Sequence, residues 1–300
     1  MTEVDIDEIG FAGIGLMGGP MSRRLAASRK LVAWNRTAAK ASELAAAAPE
    51  GAVRVAAAPK ELAACDVVLL MLIDDAAAHD VLLGPEGVFA VDERPKIVVN
   101  MSTIGILAAE TLRAACEERG VAYLSSPVSG STAYAADGQL TIIASGPPEA
   151  VEAVTPLLDE LGKQTLVVGT GTQANLAKLC VNLIIGATNQ ALAESLAMGL
   201  KGGIDEETLL GVLESSVIVS PWLRYKVRQL IDHDFTPGHT LHGLNKDWWL
   251  MEEASRVLEA PLPVTALVHQ KIRAAVGHGH GELDMIAVLK DAYRAAGLDG

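Results

Sequence analysis

Gly13-Ile14-Gly15-Leu16-Met17-Gly18 is the stretch on which the fold turns. It follows the aliphatic run 9–12 directly and opens the helical pattern 17–27, so a G-x-G-x-x-G spacing sits where a strand hands over to a helix. Glycines at these places permit a tight turn, close approach of a pyrophosphate and tight helix–strand packing, while the N–H groups and dipole of a helix start favour an anion. The spacing alone is a weak signal. The competing interpretation is a glycine-rich turn with no ligand, and the strand before and helix after favour dinucleotide binding by Gly13, Ile14, Gly15, Leu16 and Met17.

Outward from this turn, short β-branched or aliphatic runs recur at 31–35, 53–55, 67–72, 97–101, 121–124, 140–145 and 165–168, with Ala/Leu/Glu-rich segments such as 38–47, 107–119 and 149–161 between them. Strands alternating with helices predict βαβ units and a mainly parallel sheet covered on both faces, an α/β Rossmann-type domain. After Gly169-Thr170-Gly171-Thr172 the strand signal stops, and from about Gln173 the pattern is helical to the end. Asp205 and the pair Ser220-Pro221 mark helix starts, and Pro261/Pro263 mark a break. Two domains are expected, 1–169 and an all-α 170–300. A helix of about 28 residues over 173–200, twice the usual globular length, is expected to join them and to pack against a second subunit.

Composition narrows the function. Half of the 300 residues are hydrophobic, enough for a substantial core, which excludes disorder as the main state. Lys+Arg 24 against Asp+Glu 37 gives a net charge of −13, which repels a phosphate backbone and argues against a nucleic-acid partner. Cys65, Cys116 and Cys180 are odd in number and far apart, unlike a disulfide framework or a zinc site, and fit a reducing cytoplasm. The start carries Glu3, Asp5, Asp7 and Glu8 where a secretory signal carries bases, and runs such as 67–73 are too short to span a bilayer, so a cytoplasmic protein without a membrane segment is expected.

The second strand pattern ends in Trp34-Asn35-Arg36-Thr37 rather than in the acid that grips a ribose 2′-hydroxyl of NAD. A guanidinium offers a planar fork for a 2′-phosphate, with Asn35 and Thr37 as neutral hydrogen-bonding neighbours and Lys40 within reach, which favours NADP and leaves NAD possible. The alternative for Arg36 is a solvated loop charge.

Several motifs in order now carry a resemblance: GIGLMGGPMSRRL at 13–25, WNRT at 34–37, DVVLLMLIDD at 66–75, NMSTI at 100–104, PVSGS at 127–131, AKLCVN at 177–182 and NKD at 245–247. From about residue 9 to 289 the chain resembles the β-hydroxyacid dehydrogenase family, which contains 3-hydroxyisobutyrate dehydrogenase, tartronate semialdehyde reductase and the glyoxylate/succinic semialdehyde reductases. The resemblance implies a Rossmann domain, an all-helical domain that makes a homodimer or homotetramer, and a small substrate bearing a carboxylate. It implies that Leu72, Ile73 and Thr103 line the cofactor, that Ser129 and Gly130 hold the substrate carboxylate with Ser131 beside them, that Lys178 is the catalytic lysine, that Asn182 orients the substrate, and that Lys246 closes the site with Asp247 beside it.

The residues add their own reasons. Lys178 and Asn182 are four apart and share a helix face. Hydride transfer at a hydroxyl-bearing carbon needs a group that gives or takes the hydroxyl proton, and an amine in the apolar setting of Leu176, Ala177, Leu179, Cys180 and Val181 can do so; the alternative is a snorkelling surface lysine. PVSGS follows a strand at the carboxyl edge of the sheet, where hydroxyls and N–H groups make a small anion pocket, or else an ordinary serine turn. His233, His239, His242, His278 and His280 lack acids at a ligand spacing, so no metal is expected, and 277–281 reads as a flexible connection. Of Trp248 and Trp249, one is expected in the core.

Departures from the family pattern are Ser125 and Ser126 for Asp-Ala, Ser131 for a second glycine, Asn245 for a hydrophobic residue, Ile286 for a serine, and His239 and His242 where aromatic or apolar residues are usual. They leave the reaction type safer than the substrate. An imine reductase on the same scaffold and a non-catalytic dinucleotide-binding module are the alternatives, and Lys178 argues against both; a 6-phosphogluconate-type enzyme needs a larger helical domain.

Overall fold

The computed structural model describes residues 6–298; the acidic start at 1–5 lies outside them. The chain divides into two compact units, Met1–Cys180 and Val181–Gly300.

In the first unit, β1 (Glu8–Ala12), α1 (Gly18–Ala26), β2 (Lys30–Trp34), α2 (Ala38–Ala47), β3 (Val53–Val55), β4 (Val67–Leu70), α3 (Asp75–Leu83), β5 (Ile97–Asn100), α4 (Ile106–Glu117) and β6 (Ala122–Ser125) alternate as the pattern predicts. Their strands lie in the order β3-β2-β1-β4-β5-β6, all parallel, the doubly wound order of dinucleotide-binding sheets. Every residue of β4 and β5 is buried, because helices cover both faces of the sheet. Alternate residues go to opposite sides. Leu69 and Val99 join Phe11, Met21 and Leu158, while Val68 and Val98 join Leu62, Leu112 and Tyr123.

Beyond β6 the sheet changes direction. Between β7 (Val128–Ser129) and β8 (Leu140–Ser145) there is room only for the five-residue α5 (Thr132–Ala136), too short a crossover for a parallel return, so β8 runs antiparallel to both β6 and β7. The 14-residue α6 (Pro148–Leu161) is long enough, and it brings β9 (Gly162–Gly169) back parallel to β8. The short strand β7 and helix α5 carry no periodicity that a sequence pattern reveals.

Helix α7 (Gln173–Lys201) is 29 residues long, and the division between the units falls inside it. It is the one helix among the described residues long and apolar enough to cross a bilayer, which the short apolar runs did not suggest. Buried Asn175, Lys178, Asn182, Asn189 and Gln190 lie along it, a load of polar groups that suits a protein core better than hydrocarbon.

The second unit continues with α8 (Glu206–Ser215), α9 (Pro221–Ile231), α10 (Leu241–Leu258), α11 (Pro263–Ala275) and α12 (Val288–Ala295). Asp205 and Ser220 cap α8 and α9 by accepting from Thr208 N and Leu223 N, and α10 ends before the Pro261/Pro263 break, as the sequence predicts. The Thr208 N–H also holds the Asp205 carboxyl below its usual range. Trp248 is fully buried, its indole N–H donating to Thr265 O at 3.1 Å and its ring filling the notch at Gly186 where a Cβ would overlap it. Trp249 stays half exposed, edge-on to His269.

Two findings differ from a loose helical array. Lys226 and Asp284 form a buried ion pair at 2.6 Å; Gln229 Oε1 also accepts from the ammonium, while Gly238 N and Ile286 N donate to the carboxylate. Burial pushes the Lys226 ammonium down, against the pull of Asp284. The tract at 277–281, expected to be a flexible connection, runs on from the end of α11 and is broken by a kink at Gly279. Gly279 adopts φ +90° there, and His278 pairs with Asp291 on α12.

Candidate functional site

The glycine turn is built as its spacing demands. Gly13 has φ +102°, and a Cβ there would overlap the Met71 carbonyl oxygen; a Cβ on Gly18 would overlap the Gly13 carbonyl oxygen. Gly15 is different, since a Cβ on it would meet no protein atom within 4 Å. Two glycines thus close the turn on itself, and the third leaves an open cradle ahead of α1, at the positive end of the helix dipole. A pyrophosphate fits that arrangement. Leu16, 51% exposed, and Ile73, 63% exposed, are apolar side chains left open beside the strand ends.

The end of β2 is tied to this turn. Asn35 Oδ1 accepts from Ile14 N at 2.8 Å and its Nδ2 donates to Thr37 O at 3.0 Å, while Arg36, Thr37 and Lys40 are exposed. Asn35 therefore positions the loop through its side chain, and Arg36 stays available to solvent or ligand.

At the ends of β4 and β5 a buried polar network sets the Leu72 and Thr103 loops. Ser102 Oγ accepts from Leu72 N at 2.8 Å, Ser102 N donates to Asn100 Oδ1 at 3.0 Å, and Asn100 Nδ2 donates to Tyr123 Oη at 3.1 Å. Burial pushes the Tyr123 phenol up, partly offset by the Asn100 bond. Sequence reasoning picked Leu72, Ile73 and Thr103 and missed Asn100 and Ser102. Their signal was a pair of polar residues closing the apolar run 97–101, the kind of residue that satisfies strand-end backbone.

The serine loop follows β7. Gly130 has φ +143°, and a Cβ on it would crowd Leu140 and Tyr134. Ser131 is the N-cap of α5, with its hydroxyl accepting from Tyr134 N at 3.5 Å. Replacing a glycine by serine here therefore serves the short helix.

Lys178 lies in the first unit, 9% exposed. The start of its helix is held by two buried contacts, Ala174 N donating to Ser145 Oγ at 3.0 Å and Asn175 Nδ2 donating to Ile104 O at 3.5 Å. Neither Ser145 nor Asn175 was singled out from the sequence. Asn175 stands three residues before Lys178 on the same helix, a spacing that points to it in hindsight.

The remaining predicted residues gather in the second unit around one buried carboxylate. Asn182 Nδ2 donates to Asp247 Oδ2 at 2.7 Å, Lys246 Nζ lies 2.8 Å from Asp247 Oδ1, and His239 Nε2 is 3.7 Å from Oδ2. The other departures point elsewhere. Asn245 meets His269 at 3.2 Å, and His269 in turn meets Glu252 at 2.6 Å; His242 lies 3.7 Å from Glu282. Among the described residues no group of three or more His, Cys, Asp or Glu is arranged to hold a metal. The three cysteines are free thiols, Cys65 and Cys116 buried and Cys180 exposed.

Comparison with known proteins bears on the family and the fold. Residues 8–169 match the NAD binding domain of 6-phosphogluconate dehydrogenase, and residues 172–292 match the NAD-binding domain of NADP-dependent 3-hydroxyisobutyrate dehydrogenase. The chain is 31% identical to glyoxylate/succinic semialdehyde reductase 1 of Arabidopsis thaliana, over 94% of this chain and 97% of that protein. It is 31% identical to 2-(hydroxymethyl)glutarate dehydrogenase of Eubacterium barkeri, over 94% of each. The crystal structure of 3-hydroxyisobutyrate dehydrogenase from Salmonella typhimurium superimposes with a TM-score of 0.84 at 26% identity, over 96% of this chain and all of that one. With a Rossmann-type sheet followed by a helical unit, the chain belongs to the β-hydroxyacid dehydrogenase family and is an NAD(P)-dependent oxidoreductase.

Proposed function

We propose that the protein prefers NADP and interconverts a small β-hydroxy acid with its semialdehyde or keto acid, Lys178 giving the proton in reduction and taking it in oxidation. The observation that carries this reading is Lys178 itself: an amine nine-tenths buried on α7, one helical turn from Asn182, whose amide is fixed by Asp247. Hydride transfer at a hydroxyl-bearing carbon needs a group that gives or takes the hydroxyl proton, and a lysine on this helix face can do so.

The nicotinamide, when bound, supplies or accepts the hydride. Gly13, Ile14, Gly15, Leu16 and Met17 hold the pyrophosphate, Asn35, Arg36 and Thr37 hold the adenosine ribose and its 2′-phosphate, and Leu72, Ile73 and Thr103 line the rest of the dinucleotide. Ser129 and the backbone at Gly130 and Ser131 take the substrate carboxylate; the Ser131 hydroxyl already serves α5. In reduction the Lys178 ammonium hydrogen-bonds the carbonyl oxygen, stabilises the charge that develops there, and passes its proton to form the hydroxyl; the neutral amine regains a proton from solvent. Asn182 and Lys246 orient the substrate.

Apolar side chains exposed on the helical unit, among them Ile184, Met198, Val217, Ile218 and Leu267, suit burial against a second copy, which supports a homodimer or homotetramer. Free thiols at Cys65, Cys116 and Cys180 suit a reducing cytoplasm.

A panel of semialdehydes and keto acids with NADPH and NADH side by side tests the class of reaction. Lys178→Ala is expected to lower kcat by about 10³-fold, within the range of general acid–base catalysis, with the NADPH Kd within twofold of wild type. Retained turnover in that variant would overturn the role.

A further inference from the structure

Of the family departures on the segment before and at the start of α10, one reaches the Asp247 cluster. His242 turns to Glu282 and Asn245 to His269, while His239 brings Nε2 to 3.7 Å from Asp247 Oδ2. The Asp247 side chain is 2% exposed, so its carboxylate depends on protein partners for orientation. Three groups converge on it from three directions: Asn182 from α7, Lys246 from its own helix, and His239 from the loop ahead of it.

The place of His239 is built. Its carbonyl accepts from Met285 N at 2.8 Å, and its ring lies over Gly243, where a Cβ would sit 2.6 Å from Nε2. Thr240 Oγ1 caps the same glycine, accepting from Gly243 N at 3.0 Å. A larger residue at 243 would displace the imidazole from the carboxylate. With one Nδ2 hydrogen donated to Asp247, the Asn182 amide plane is fixed, and its Oδ1 is an acceptor suited to a hydroxyl on the ligand.

We propose that His239 is a positioning residue for the reaction, acting through Asp247 to hold Asn182 and Lys246 in fixed orientation. This rests on the reading in which Asn182 and Lys246 orient the substrate. Other titratable groups around the segment include Lys246; Asp284 and Tyr225, which flank Gly238; Lys226, which pairs with Asp284; and His242 with Glu282.

The test combines kinetics with an observation that needs no turnover. His239→Phe keeps an aromatic ring but removes the polar contact, and is expected to lower kcat/KM for the carbonyl substrate by about 5- to 20-fold, with the NADPH Kd and melting temperature unchanged. His239→Gln recovers most of the loss. Asp247→Asn combined with His239→Phe is no worse than Asp247→Asn alone, because both act through one carboxylate. Independently, the Asn182 side-chain amide resonance in the wild-type chain follows the same pH midpoint as the His239 imidazole, and stops doing so in Asp247→Asn. Additive losses, a neutral His239→Phe, or an amide resonance indifferent to His239 would each overturn the proposal. A wild-type chain that turns over no substrate yet shows the linked resonances upholds the link between His239 and Asn182 and rejects the reaction on which its catalytic role rests.

Discussion

In the sheet-bearing unit short polar side chains at strand ends accept from backbone: Asn35 from Ile14 N, Ser102 from Leu72 N, Ser145 from Ala174 N. In the helical unit charges meet one another at buried carboxylates, Lys226 with Asp284 and the partly exposed Lys246 with Asp247. The difference follows from the two kinds of element. Strand ends leave backbone groups that need partners, and short polar side chains supply them; helices satisfy their own backbone along their length, which leaves charges between them to pair with one another. The first arrangement spreads its cost over neutral hydrogen bonds, whereas the second concentrates it in pairs that fail when one member is removed.

The sharpest break comes at the ion pair. Asp284→Ala strands Lys226 in the core and is expected to cost about 3–5 kcal/mol in urea unfolding. The transition is read by tryptophan fluorescence, since Trp222, Trp248 and Trp249 all lie in the helical unit. The double variant Lys226→Met, Asp284→Leu should be less damaged than Asp284→Ala alone; a loss below about 1 kcal/mol in the single variant would remove the contrast between the units.

In the first unit the glycine turn separates stability from binding. Gly18→Ala forces a Cβ onto the Gly13 carbonyl oxygen and should cost about 2 kcal/mol of stability as well as cofactor affinity. Gly15→Ala meets no protein atom, so it should leave unfolding within about 0.5 kcal/mol of wild type and raise the NADPH Kd at least about tenfold. An unchanged Kd in Gly15→Ala would mean that the open cradle holds no phosphate.

Alkaline pH should also find the first unit. Burial pushes the Cys65 and Cys116 thiols up to about 12 from an ordinary value near 9. Their protonated forms are favoured by folding, so the stability they contribute is complete below about pH 9 and is lost as pH rises from there toward 12. Unfolding free energies from urea titrations at pH 8 and pH 10.5 should differ by about 2 kcal/mol per thiol in that direction, and a flat profile would contradict the burial of both thiols.

The smallest effect concerns the β2 loop. Arg36→Ala should raise the NADPH Kd about tenfold and leave NADH almost unaffected, as expected if one charge-assisted fork is lost. Equal changes for both cofactors would return Arg36 to a solvated loop charge.

Much of the site was legible because its residues obey short spacings. Gly13, Gly15 and Gly18 declare a turn whose geometry follows from the absence of a Cβ, and Lys178 with Asn182 declares a helix face. Asn100, Ser102 and Ser145 were not legible, since a serine at a strand end looks the same whether it faces solvent or caps a neighbouring strand's backbone. The tract 277–281 shows a related limit: glycine marks conformational freedom, and nothing local announces that Asp291 on α12 will pair with His278.

Local chemistry, written in the order of residues, determined the alternation of strands and helices, a mainly parallel sheet, the capped helix starts at Asp205 and Ser220, and the lysine on the long helix. Tertiary structure decided the rest. The antiparallel return of β8, the choice of Trp248 over Trp249 for the core, the Lys226–Asp284 pair and the gathering of Asn182, Lys246 and His239 on Asp247 each join residues far apart in the chain. Hydrophobic period and turn chemistry act over a few residues and are readable as such, whereas the partner of a buried polar group is selected by which distant element packs beside it.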